Sequence, residues 1–221
     1  WDENPGRQIA ILARTRSHLK EILPLLKARG HRYAGVELEP LATRPWILDL
    51  LSLTRALCAF NDRLAWLSLL RAPWCGLNTA DLHLIGSTSG HSTIPARLEQ
   101  HSELQTEGLS SDGWLRLSRV HPVLAEAISE RGRKPLREAV EGAWLKLGGP
   151  ACLPSSAALE DCHTYLDLLQ QIDRAQALEP LALLNSKLER LYAQPDMTAD
   201  GRLQIMTIHK SKGLEFDTVI L

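Results

Sequence analysis

The sequence lacks several features that assign a chain to a class at once. It has no run of about eighteen apolar residues, the length that spans a membrane as a helix. Its 25 basic and 26 acidic residues leave a net charge of −1, so no overall positive field attracts nucleic acid. Residues 1–7 lack the basic and apolar regions of a secretion leader. We therefore expect a cytoplasmic protein with no membrane partner, in which any nucleic-acid site is local.

Cysteine is scarce and forms no metal-binding pattern. The four cysteines, Cys58, Cys75, Cys152 and Cys162, include no CxxC pair and lie mostly in apolar helical surroundings, which predicts reduced, buried side chains. Cys162 and His163 are neighbours, and neighbours on a helix point about 100° apart, so they make a poor ligand pair. We predict no metal site.

The spacing of apolar residues divides the chain into three parts. Residues 8–13, QIAILA, are typical of a buried strand, and residues 31–38 can form a second strand after an intervening helix. From residue 45 to about residue 194 the apolar positions recur at helical spacing, and near Gly201 the strand pattern returns. The predicted fold is α/β, a parallel sheet with a large all-α insertion.

The predicted helix between the first two strands has clear ends. Ser17 is a plausible N-cap, and Gly30 follows a basic last turn. Pro24 falls inside the pattern, which predicts a bend or a local opening there.

The last residues carry the most chemistry. In TIHKSKGLEFDTVIL, which begins at Thr207, lysines and hydroxyls suit phosphate oxygens and Gly213 permits close backbone approach. Glu215 can accept hydrogen bonds from two ribose hydroxyls. Ligands gather at the carboxyl ends of parallel strands, where this stretch is expected. A solvated connection, with Gly213 supplying a turn, explains the same pattern.

This stretch closely resembles motif V of the UvrD/RecB-type superfamily 1A DNA helicases, in residue order and spacing. The resemblance implies a RecA-like sheet of the P-loop NTPase type. It implies that Thr207, His209 and Lys210 face single-stranded DNA. It also implies that Gly213 and Glu215 approach the bound nucleotide.

An earlier stretch, IAILARTRSHL, resembles motif IV of the same family. Arg14 matches the arginine that reaches the terminal phosphate of ATP held mainly by the other motor domain. Such an arginine finger stabilises charge on the transferred phosphoryl group, an effect of about 10³ to 10⁵ in rate. Taken alone, without the motif V resemblance, Arg14 is better explained as a surface arginine at a strand end.

The segment ATRPWILDLLSLTRAL resembles the point at which the family's chain enters its helical insertion. Arg44 then contacts the DNA backbone, or forms a cap or a surface ion pair at the start of a helix. Trp46 stands where an acidic residue is common in the family. Trp66 and Trp74, further on, either stack on bases or pack in the core.

The densest basic run is RGRKPLR, residues 131–137. Two interpretations are open. The run is a solvated turn between helices, or it contacts duplex DNA through phosphate neutralisation.

The resemblance covers the whole chain but only part of the family's motor. The 221 residues contain no GxxxxGK[ST] phosphate loop, so the triphosphate cradle and its magnesium ligands must lie outside them. We interpret the chain as part of a longer helicase. Residues 1–44 begin the RecA-like domain 2A, residues 45–200 form a helical insertion like domain 2B, and residues 201–221 return to domain 2A, truncated in mid-strand.

The resemblance implies an ATP-dependent DNA helicase of repair or recombination that uses ATP and Mg²⁺. Its implied partners are single-stranded and duplex DNA, the first RecA-like domain of the same parent chain, and nuclease or recombination subunits. The chain alone is expected to be inactive. Two alternatives are a noncatalytic helical docking module and the helicase subunit of a RecB/AddA-like helicase-nuclease (exonuclease V). A working motor half requires motifs IV and V on neighbouring strand ends.

Overall fold

The computed structural model describes residues 6–15, 18–35, 40–87, 93–175, 179–192 and 201–221, without the side chains of Lys20, Lys27 and His101. The chain divides into two compact units. The sheet unit comprises residues 1–43 and 189–221, and the helical unit comprises residues 44–188. The identification of these units with domains 2A and 2B stays a prediction.

The sheet unit is built on four parallel strands. They are β1 (Ile9–Ala13), β2 (Ala34–Gly35), β3 (Leu203–Thr207) and β4 (Thr218–Ile220). Their order across the sheet is β2-β3-β1-β4, and each neighbouring pair is parallel. Helix α1 (Leu19–Ala28) connects β1 to β2. The predicted α/β fold with a parallel sheet and a large helical insertion is confirmed.

One face of the sheet packs against α1. Residues alternate sides along a strand, so Ala13 of β1 shares a face with Ile205 of β3, and both are buried. Leu19 and Leu23 of α1 pack in the same cluster. Helix α1 runs through Pro24, which is exposed, and the predicted bend or local opening there stays a prediction. The predicted cap Ser17 lies outside the described residues, as do residues 36–38 of the predicted second strand.

The helical unit contains the remaining described helices. They are α2 (Pro45–Cys58), α3 (Arg63–Arg71), α4 (Thr79–Gly86), α5 (Ile94–Glu99), α6 (His101–Glu107), α7 (Ser111–Ser129), α8 (Leu136–Lys146), α9 (Ser156–Ala175) and α10 (Pro180–Leu188). Helix α2 packs against α3, α8 and α9. Trp66 and Trp74 are buried, with 0% and 3% exposure, so core packing is confirmed for both and base stacking is excluded.

Long-range polar contacts fix the ends of two helices in this unit. Asp173 of α9 accepts hydrogen bonds from the backbone N–H groups of Leu136 and Arg137, at 2.9 and 3.1 Å, at the start of α8. Asp81 of α4 is buried and accepts from Ser110, which in turn caps α7. These carboxylates satisfy backbone and hydroxyl donors that the helices cannot satisfy themselves.

The four cysteines are free. Cys75 and Cys162 are buried and Cys58 is partly buried, as predicted, but Cys152 is exposed. Cys152 is the last residue of a short 3₁₀ turn, Gly149–Cys152, and does not lie on the apolar face of a helix, so the expectation of burial is wrong for it. The described residues contain no group of three side chains suited to a metal ion.

The basic run of residues 131–137 is largely engaged within the helical unit. Arg131 lies 4.6 Å from the ring of Phe60, Lys134 lies 2.7 Å from Glu130, and Arg137 lies 2.6 Å from Asp167. These contacts favour the interpretation as an interhelix turn.

Among the described helices, none is both long and apolar enough to cross a membrane.

Two segments of the sheet unit flank the helical unit in sequence and contact each other. The backbone N–H of Leu41 donates to the carbonyl of Leu191 at 2.9 Å, and Pro40 forms an antiparallel bridge with Tyr192. The chain therefore leaves the sheet unit and returns to it at adjacent points.

Candidate functional site

Strands β1 and β3 place the two motif-bearing stretches at one edge of the sheet. Ala13 pairs with Thr207, and the backbone N–H of Ile208 donates to the Ala13 carbonyl at 3.0 Å. Arg14 is therefore the first residue beyond β1, at the level at which Ile208 leaves β3. The carboxyl ends of adjacent parallel strands form the usual ligand edge of such a sheet.

The stretch after β3 is wound into a compact turn. The Thr207 carbonyl accepts from the backbone N–H groups of Lys210 and Ser211 at 2.9 and 3.2 Å. The Ser211 hydroxyl donates to the Ile208 carbonyl at 2.9 Å. Gly213 has a φ of +86°, and no atom lies within 4 Å of the position that a Cβ would occupy there. Glycine is therefore required at this position by the backbone conformation and not by a lack of room for a side chain.

The predicted ligand-facing side chains around this turn are accessible. Arg14, His209, Lys210 and Glu215 are exposed, and Thr207 is partly buried at the strand end. The guanidinium of Arg14 and the ammonium of Lys210 suit phosphate oxygens, and the carboxylate of Glu215 suits hydroxyl donors. The edge therefore offers both kinds of contact that a nucleotide needs.

The chain from Gly213 to β4 crosses the sheet as a strap, defined here as residues 214–217. Strand β1 lies between β3 and β4, so the strap passes from the carboxyl end of β3 to the amino end of β4 across β1. At its far end the Asp217 carboxylate accepts from the backbone N–H of Gln8 at 2.7 Å, and Thr218 donates to the Gln8 carbonyl at 3.2 Å. The strap is thus attached to the strand that carries Arg14. The sequence pattern gave no signal of this contact, because its partners are over two hundred residues apart.

Arg44 lies in the helical unit and is not grouped with these residues. It precedes α2, its Nε lies 3.9 Å from Asp161 Oδ2, and its guanidinium lies 5.4 Å from the ring centroid of Trp46. Trp46 Nε1 donates to the same carboxylate at 3.2 Å. The ion pair that the sequence offered as an alternative for Arg44 is therefore present, but its partner Asp161 is buried and not at the surface. The contact of Arg44 with DNA stays a prediction.

Comparison with known proteins connects these features. Residues 158–221, which include β3, the turn, the strap and β4, match the UvrD-like helicase C-terminal domain. Over these residues the chain is therefore similar to the UvrD-like helicases. It is 25% identical to ATP-dependent DNA helicase Rep of Escherichia coli over 198 residues, 81% of this chain. It is also 25% identical to DNA helicase II of Salmonella typhimurium over an alignment of 238 positions that covers the whole chain.

This UvrD-like chain covers 28% of the length of the Rep helicase and 32% of DNA helicase II. Motifs IV and V of the resemblance correspond to the ends of β1 and β3, which the structure brings together. Arg14, Thr207, His209, Lys210 and Gly213 lie at or directly after that edge, Glu215 lies on the strap that leaves it, and Arg44 belongs to the other unit.

Proposed function

We propose that this UvrD-like chain supplies part of the second motor domain of an ATP-dependent DNA helicase that acts in DNA repair or recombination. The observation that carries the proposal is the pairing of Ala13 with Thr207 in adjacent parallel strands. It puts Arg14 and the turn that bears His209 at the same sheet edge, from which the strap that bears Glu215 starts. A docking module without motor activity does not require these two strand ends to lie side by side.

In the proposed reaction ATP binds between this sheet edge and the first motor domain, which supplies the phosphate loop. Arg14 stabilises charge on the terminal phosphoryl group, Glu215 accepts hydrogen bonds from the ribose, and Gly213 allows the backbone to approach the nucleotide. Magnesium supplies further charge neutralisation when bound. Because the described residues offer no set of three suitable ligands, we assign its binding to the first motor domain.

Thr207, His209 and Lys210 bind the backbone and bases of single-stranded DNA in this proposal, with Arg44 contributing a contact from the helical unit. The same nine-residue stretch, Thr207 to Glu215, then faces both DNA and nucleotide. Cleft closure on ATP and reopening after hydrolysis move that stretch, which couples hydrolysis to strand movement.

The proposal is tested by DNA-stimulated ATP hydrolysis in the whole protein. Arg14→Lys keeps a positive charge but loses the planar fork, and we expect kcat to fall by at least about 10³-fold while nucleotide binding is retained. Arg29→Ala is the matched control, an exposed arginine in the same unit at the end of α1. Wild-type turnover by the Arg14→Lys protein would refute the assignment of the arginine finger.

The isolated chain should not hydrolyse ATP, because it contains no phosphate loop. Hydrolysis by the pure 221-residue chain that disappears in Arg14→Ala would show that the first motor domain is not required. Nuclease activity of the whole protein on linear duplex DNA distinguishes the RecB/AddA-like helicase-nuclease from a helicase without a nuclease.

A further inference from the structure

The strap joins two points of the sheet that lie at different levels of β1. Thr207 pairs with Ala13 and Thr218 pairs with Ile9, so the chain must descend four residues of β1, about 13 Å at about 3.3 Å per residue. At the start of the strap the backbone N–H of Leu214 donates to the Ser211 carbonyl at 3.0 Å, and the chain bends at Asp217. The strap is therefore held to the turn at one end and, through Asp217, to β1 at the other.

A four-residue segment that is attached at both ends restricts where the residues between its attachments can lie. Asp217 holds the far end through its carboxylate, which accepts the Gln8 backbone N–H at 2.7 Å. Gln8 directly precedes β1, the strand that ends at Arg14. Glu215 lies two residues before Asp217 on the strap. The position of Glu215 relative to β1 then depends on the Asp217 contact.

We propose that Asp217 is a positioning residue, which sets the distance between Glu215 and the strand that carries Arg14. The inference rests on the proposed function, in which Glu215 binds ribose and Arg14 the terminal phosphate. The hydrogen bond to Gln8 makes β1 and the strap move together, so that the ribose contact and the phosphate contact are formed in one geometry.

The test uses the whole protein and compares ATP with 2′,3′-dideoxy-ATP, which lacks both ribose hydroxyls. Asp217→Ala removes the acceptor, so we expect the KM for ATP to rise at least about five-fold and the preference for ATP over the dideoxy analogue to fall. The kcat for ATP should stay within about two-fold, since Arg14 is not displaced from the end of β1.

Two further variants separate positioning from folding. Asp217→Asn retains an oxygen that accepts from the Gln8 N–H and should restore the wild-type KM and preference. Asp217→Glu keeps a carboxylate but moves it by one methylene group, so the KM should rise without a change in melting temperature. Glu189→Ala, an exposed carboxylate in the same unit, is the matched control.

The outcomes distinguish this inference from the proposed function. If Glu215→Gln lowers the preference for ATP but Asp217→Ala and Asp217→Glu leave both KM and preference unchanged, the positioning role is wrong and the ribose contact stands. If Glu215→Gln itself leaves the preference unchanged, the ribose contact in the proposed function is wrong. An Asp217→Asn protein as impaired as Asp217→Ala would also overturn positioning by the hydrogen bond.

Discussion

The hydroxyl oxygens of Thr54 on α2 and Tyr165 on α9 lie 2.8 Å apart in the buried core of the helical unit. The Thr54 hydroxyl donates its proton to the Leu50 carbonyl, also at 2.8 Å. Tyr165 is therefore the donor in the contact between the two side chains. The direction of this bond determines which of the two hydroxyl groups can be removed with the smaller loss in the free energy of unfolding.

Tyr165→Phe should destabilise the helical unit by about 1 kcal/mol, since it removes one hydrogen bond and leaves no donor without a partner. Thr54→Val should cost more, about 1–3 kcal/mol, because it leaves the buried Tyr165 hydroxyl without an acceptor. Urea unfolding of both proteins measures the difference. A smaller cost for Thr54→Val than for Tyr165→Phe would contradict the donor assignment.

Alkaline pH should destabilise the folded protein through the same tyrosine. Burial raises the pKa of the Tyr165 hydroxyl above its usual value. An unfolded tyrosine ionises near pH 10, so the stability from this group is complete below about pH 10 and is lost as pH rises through the folded pKa. Unfolding midpoints measured from pH 8 upward should therefore fall less steeply in Tyr165→Phe than in the wild type.

Gly149 is required by a close contact with Trp144. A Cβ at Gly149 would clash with Nε1 of Trp144, whose side chain is 1% exposed. Gly149→Ala should destabilise by about 1–3 kcal/mol through overpacking. Gly142→Ala is the matched control: it lies in α8 with nothing within 4 Å of a built Cβ and should stabilise by about 0.5–1 kcal/mol. Thermal unfolding of the two variants should show shifts of opposite sign.

The capping of α8 by Asp173 should contribute more than a surface ion pair on the same helices. Pro135 precedes α8 and makes no side-chain cap, so the carboxylate of Asp173 is the acceptor for Leu136 and Arg137. Asp173→Ala should cost about 1–2 kcal/mol. Asp167→Ala removes an exposed partner of Arg137 and should cost at most about 1 kcal/mol. Equal costs in urea unfolding would argue against the cap.

The thiols should differ in reactivity according to burial. Burial raises the pKa of Cys75 to about 11 and that of Cys162 to about 12, whereas Cys152 is exposed. At pH 8 a disulfide reagent should therefore modify Cys152 first in the native protein, and Cys75 and Cys162 only after unfolding. Peptide mapping of the modified protein identifies the sites. Early modification of Cys75 would contradict its buried position.

His209→Ala should weaken binding of single-stranded DNA in the whole protein and leave the KM for ATP nearly unchanged. The side chain is exposed at the sheet edge, so its loss should not alter folding. Fluorescence anisotropy with a labelled oligonucleotide measures the affinity, and His31→Ala provides a histidine control outside the turn. An equal loss of ATP affinity would show that His209 does not act on DNA alone.

The sequence predicted the sheet better than it predicted the contacts between helices. The runs that became β1 and β3 are apolar, short and bounded by polar residues, and these local patterns determine strand formation. Motif resemblance then grouped Arg14 with Glu215. No local pattern shows that Asp173 caps α8, because that contact depends on how α8 and α9 pack.

In the candidate site, too, local patterns were predicted from the sequence and long-range contacts were not. Exposed Glu215 and Gly213 were found from their motif, and the positive φ of Gly213 accords with the turn that the pattern indicated. The contact between Asp217 and Gln8 was missed, because it joins the two ends of the chain. The alternative offered for Arg44, an ion pair at a helix start, came from its position before Pro45, and its partner Asp161 was not foreseeable.

The contact between Leu41 and Leu191 has a consequence for the order of folding. Pairing of β1 with β3 joins residues nearly two hundred positions apart, a closure that is slow for a disordered chain. If the helical unit forms first, it holds its two flanking segments near each other and the remaining loop is short. The helices, which depend on closer contacts along the chain, would then act as the template on which the sheet assembles.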